Sequence, residues 1–112
     1  MKAAAALALL LGAAGAAQAQ RVDCPPTHEG KRYARAELFD GPPEEMASLV
    51  PDRAREGKPS RDEWDVAYLR AGGRPTYLVC HYAGAGKPLA VLVPDGAKSC
   101  FAERPTGGAG CR

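Results

Sequence analysis

Residues 63–103 read EWDVAYLRAGGRPTYLVCHYAGAGKPLAVLVPDGAKSCFAE, and their periodicity decides the fold class. Glu63 to Arg70 alternates, with Trp64, Val66 and Tyr68 on one side and Asp65, Ala67 and Leu69 on the other. That is the period of a half-buried strand. Ala71-Gly72-Gly73-Arg74 reads as a hairpin turn. Thr76 to Tyr82, β-branched and aromatic, predicts a second strand. Ala83-Gly84-Ala85-Gly86-Lys87 supplies another turn. Leu89 to Val93 is a continuous apolar run, expected as a central strand. Pro94-Asp95-Gly96 is a tight turn, and Ser99 to Glu103 a last short strand.

Upstream, Tyr33 to Phe39 alternates as well: Ala34, Ala36 and Leu38 against Tyr33, Arg35, Glu37 and Phe39. Asp40-Gly41-Pro42-Pro43 stops it. Glu44 to Leu49 predicts one or two helical turns, with Pro43 at the first helical position and Glu44 and Glu45 at the positive end. Met46, Leu49 and Val50 would form its apolar face, and Pro51 ends it. Residues 51–62 read as a charged, solvated loop, and 20–31 as an extended arm. The expectation is a small α+β domain: about five antiparallel strands with one short helix packed on a face.

Residues 1–19 have the layout of a secretory signal peptide. Lys2 is the positive start, Ala3 to Ala14 the apolar stretch, and Ala17-Gln18-Ala19 the cleavage site. The apolar stretch falls short of the roughly 20 residues needed to span a bilayer. Cleavage leaves residues 20–112 as a single small exported domain, periplasmic or secreted, with no membrane anchor. The 112-residue chain has 15 Lys and Arg against 13 Asp and Glu, a formal charge of +2. Losing Lys2 with the leader lowers it to +1. Such near-neutrality argues against nucleic acid, which wants a concentrated basic face. The exported part holds only 16 Val, Leu, Phe, Met and Trp residues, a thin core for its size.

Cys24, Cys80, Cys100 and Cys111 all lie in the exported part, and an even count there predicts two structural disulfides. Three pairings are open. Cys80–Cys100 with Cys24–Cys111 is favoured, tying the two ends. Against it, strands one and three of a meander lie roughly 9–10 Å apart, beyond the reach of about 7 Å of a disulfide. Cys24–Cys80 with Cys100–Cys111 therefore stays open. A metal site is the rival, from Cys24-x3-His28 and Cys80-His81. It lacks a CxxC, and adjacent residues on a strand point to opposite faces. No metal and no cofactor is expected.

The series CP (24–25), LFDGPPEEMASLVPD (38–52), Trp64, YLVCHY (77–82) and LVPDG…SC (92–100) resembles a family of small uncharacterised exported proteins of Gram-negative bacteria. The likeness covers most of the exported part, and its central segment is the distinctive piece. It implies no activity and no site residues. Cys111 lies beyond the pattern.

Asp40, Gly41, Pro42, Pro43, Glu44 and Glu45 form the most unusual local feature. They are a candidate partner-binding loop, stiffened by two prolines and presenting three carboxylates to a basic partner. Its competitor is a helix start whose acids complement the dipole. Trp64, Tyr68, Tyr77 and Tyr82 are expected in the core. No serine sits in a GxSxG context, His28 and His81 lack partners, and AGAGK (83–87) precedes a strand where a phosphate loop precedes a helix. No catalytic residue is assigned.

The favoured reading is a non-enzymatic binding or interaction module whose partner is another envelope protein. Exported lysozyme inhibitors are similar in size and in having a Cys-bearing strand, an apolar strand and a late Cys, so inhibition of a lysozyme-type hydrolase is one alternative. A small enzyme using the acids near 40–45 with His81, or a metal-binding protein, is the other.

Overall fold

Leu38 and Leu78 sit opposite one another on paired strands, and both are fully buried. They anchor the core of a molecule described by a computed structural model over residues 21–84 and 86–112; the expected leader, residues 1–19, lies outside them. Among the described residues nine strands form two antiparallel sheets. They are β1 (Val22–Asp23), β2 (Thr27–His28), β3 (Lys31–Asp40), β4 (Arg53–Arg55), β5 (Ser60–Asp65), β6 (Thr76–Tyr82), β7 (Leu89–Leu92), β8 (Ser99–Arg104) and β9 (Ala109–Cys111). One sheet runs β1-β9-β8-β5-β4 and the other β2-β3-β6-β7. β3 lies against β8, and Leu38, Leu78, Trp64, Ala102 and Ala109 share one core.

The fold is therefore all-β, which corrects the α+β expectation. Among the described residues the predicted helix is reduced to one 3-10 turn, Pro43–Glu45, and Met46 closes it in the left-handed region at φ 58°. Two physical causes act. The seven residues between Pro43 and Pro51 cannot repay helix nucleation. The segment finds better partners on β3: Asp40 N–H donates to Ala47 O at 3.0 Å, Leu49 N–H donates to Leu38 O at 2.8 Å, and Ser48 bridges Phe39. Of the expected apolar face only Leu49 packs on the core; Met46 and Val50 are exposed.

Three more expectations change with the topology. Residues 51–62 and the 20–31 arm contain β4, β1 and β2, all at sheet edges. Strand β5 stops at Asp65, and the expected 71–74 hairpin is a crossing between sheets through a 3-10 turn, Ala67–Gly72. β7 is an edge strand, with exposed Leu92, where a central one was expected. The turn expected at 83–87 does join β6 to β7; Ala85 within it lies outside the described residues.

The bridges are Cys24–Cys80 and Cys100–Cys111, with Cα separations of 5.8 and 4.0 Å. The favoured pairing, Cys80–Cys100 with Cys24–Cys111, is thus corrected to the one left open. The cause is that β6 and β8 belong to different sheets, while Cys100 faces Cys111 on the neighbouring strand and Cys24 is brought to β6. Cys100 and Cys111 are directly opposed on β8 and β9. Cys24 follows β1, its N–H donating to Ala109 O at 2.9 Å, so its bridge to β6 ties the two sheets together.

Candidate functional site

The Asp40–Glu45 loop is built from its glycine outward. Gly41 is at φ +89°, a conformation that side chains disfavour, and a Cβ there would strike the Arg74 guanidinium. The bare backbone lets Gly41 N–H donate to Pro75 O at 2.7 Å. Pro42 and Pro43 carry the chain into the 3-10 turn, where Glu45 N–H donates to Pro42 O and Met46 N–H to Pro43 O, both at 3.0 Å. Glu45 forms an ion pair with Arg74, and with Asp40 nearby these acids push the Arg74 pKa up.

Of the three expected carboxylates only Glu45 is paired with Arg74; Asp40, half-buried, and Glu44, exposed, have no ion pair among the described residues. Beside Glu44, Met46 at the loop tip is 79% exposed. Beyond Arg74 lies an open groove of about 460 Å³, lined by Pro75, Thr76, Leu92, Pro94 and Asp95. The loop and the groove share Arg74, so they make one surface.

The remaining candidates separate. Asp40 lies opposite Thr76 and His81 opposite Arg35, at two ends of the β3–β6 ladder, so the acid-plus-histidine combination is not assembled. His81 does have a partner, contrary to expectation: its Nε2 lies 2.7 Å from Glu37 Oε2, and Arg35 reaches the same carboxylate at 3.2 Å. His28 packs on the Tyr82 ring at 5.4 Å. All four thiols are consumed in bridges, and no cluster of three potential metal ligands occurs among the described residues. Of the aromatic set, Trp64 and Tyr82 are buried, Tyr77 is half-buried and Tyr68 is exposed.

Sequence reasoning missed the charge ladder on the five-stranded sheet. Arg53 binds Glu63 at 3.0 Å and Asp65 at 3.0 Å; Arg61 binds Glu63 and Glu103, each at 2.8 Å. Hydrogen bonds from Arg61 and then Arg53 hold the Glu63 carboxyl below its ordinary range, and Arg53 does the same for Asp65. The signal was present as charges at every second residue, Arg53 and Arg55, then Arg61, Glu63 and Asp65.

What the surface offers is shape and charge for a partner. No curated protein and no solved structure matches the chain. The sequence profile of the Type VI secretion system Tli immunity protein family matches residues 26–111, nearly the whole of the two-sheet unit. The chain belongs to the Type VI secretion system Tli immunity protein family.

Proposed function

We propose that the protein is a periplasmic immunity protein that binds an effector of a type VI secretion system and blocks it by occupancy, with no catalysis of its own. The family match over residues 26–111 carries this reading. Two disulfides in a small domain support an oxidising compartment, as does the leader read at residues 1–19. The CP…DGPPEEMASLVPD…W…YLVCHY pattern lies almost wholly inside the matched span, which supports taking it as the mark of the same family.

The contact surface in this reading is the 40–46 loop with the Arg74 groove. Its rigidity lowers the entropy lost on binding. Glu44 and Met46 suit a partner surface with a basic group beside an apolar pocket.

The test is contact killing. Cells lacking this protein are mixed with isogenic attackers whose type VI apparatus works or is disabled. The expected result is death only with the working apparatus, rescued by the exported chain and not by a copy without residues 1–19. Equal survival in both mixtures would overturn the proposal. A Glu44→Arg, Met46→Asp variant should keep its fold and lose about tenfold or more of effector affinity, the size of a typical contact anchor. Inhibition of lysozyme by the purified protein would place the effector in that hydrolase class.

A further inference from the structure

The four-stranded sheet ends at β7, and no strand among the described residues pairs with that edge. Val93 N–H donates to Thr76 O at 2.9 Å, which fixes the phase of the β6–β7 ladder. Hydrogen-bonded pairs alternate in an antiparallel ladder. Leu89 and Val91 therefore turn their backbone groups toward β6, and Ala90 and Leu92 turn theirs outward. Both residues are exposed. Four backbone groups are thus left for another strand on an apolar edge without an inward charge, the kind of edge that proteins normally blunt.

We propose that the strand completing this edge is β7 of a second copy of the same chain, antiparallel about a two-fold axis at Val91. The register is selected by chemistry. Pro88 and Pro94 flank the strand and lack an N–H, so registers centred on Ala90 or Leu92 set a carbonyl against proline. Only the register centred on Val91 pairs Ala90 with Leu92 of the second copy twice over and satisfies all four groups on each side. Just past the strand ends, where Lys87 sits in a bend and Asp95 in a turn, that register brings Lys87 of one copy to the same end as Asp95 of the other, at both ends. Lys87 and Asp95 are exposed, and neither has an ion-pair partner among the described residues. The two sheets become one of eight strands. The paired edge is short against the roughly 1,200 Å² of a stable interface, so the dimer is reversible. It leaves the loop tip at Met46 outside the paired edge but takes up Leu92 and Asp95, which also line the Arg74 groove, so the dimer and an effector seated in that groove exclude one another, and sedimentation of the chain alone reads the dimer without the immunity reading.

Sedimentation of the oxidised exported chain from about 1 μM to about 1 mM tests it. The expected result is a concentration-dependent monomer–dimer equilibrium that weakens with salt. Ala90→Pro removes an outward N–H and no bond of the β6 ladder, and should leave a folded monomer. Lys87→Asp alone and Asp95→Lys alone should each weaken dimerisation about tenfold, because each turns two attractions into two repulsions. The double swap should restore it, and this pair of results stands even where Ala90→Pro fails to fold. A monomer at every concentration, a folded Ala90→Pro dimer, or a double swap as weak as the singles overturns the proposal. So does a chain that stays monomeric alone and takes up a strand from a different protein at β7.

Discussion

Tyr33 joins the two sheets through one phenol, whose O–H donates to Glu103 O at 2.6 Å. Burial, then the nearby Glu103 and Tyr82, push its pKa up to about 12. An unfolded phenol ionises near pH 10. Between those values the unfolded chain holds fewer protons than the folded one, so stability falls as pH rises through that window. Tyr33→Phe should cost about 1 kcal/mol at neutral pH and flatten the alkaline decline. Urea midpoints of both proteins at pH 7 and near pH 11 check this; parallel declines would refute it. Gly41→Ala, at φ +89° and against Arg74, should cost about 1–3 kcal/mol. A turn at Asp40–Pro43 was readable from Gly and two Pro. Its partner was not, because Arg74 is distant in sequence and no local period reports a contact made across a turn.

Three strands were readable: β3 lies close to where alternation set it, β6 where its β-branched and aromatic residues set it, and β8 where a strand was expected after the 94–96 turn. The segment after β3 was misread because helix signals at its start, Pro43 with two acids, say nothing about length. The backbone bonds of residues 47–49 to β3 decided the outcome. β4 and the first half of β5, residues 60–62, were hidden for the opposite reason: their charges looked like a solvated loop, yet they alternate as a ladder across neighbouring strands. That ladder has a pH signature. Folded Glu63 and Asp65 carry depressed pKa values, so their contribution is present above the ordinary carboxylate range and is lost as pH falls through the folded values. Arg53→Ala should therefore change the midpoint little under exposed-pair rules, while shrinking the loss of stability between neutral pH and about pH 3. Urea melts of the two proteins across that range measure it, and an unchanged acid limb would contradict the ladder's role.

The overall topology was beyond sequence reading because two features act only when the chain is assembled. The crossing at Ala67–Gly72 moves the chain from one sheet to the other, and no composition signal separates such a crossing from a hairpin. That crossing then decides the cysteines, since it parts Cys80 from Cys100 and brings Cys24 to Cys80. The two bridges consequently differ in what they restrain. Cys24–Cys80 spans 56 residues and ties sheet to sheet; Cys100–Cys111 spans 11 and reinforces a hairpin already paired by hydrogen bonds. On the chain-entropy account the first contributes about 4 kcal/mol and the second about 3. In a domain with so thin a core, a loss of about 4 kcal/mol approaches the whole net stability. Replacing Cys24 and Cys80 by Ala should leave the chain largely unfolded at 37 °C, whereas the Cys100, Cys111 double-alanine protein should fold with a lower urea midpoint. Circular dichroism melts of the two variants decide it. The reverse order would mean that the sheets are held together by packing alone and that the sheet-to-sheet bridge is dispensable.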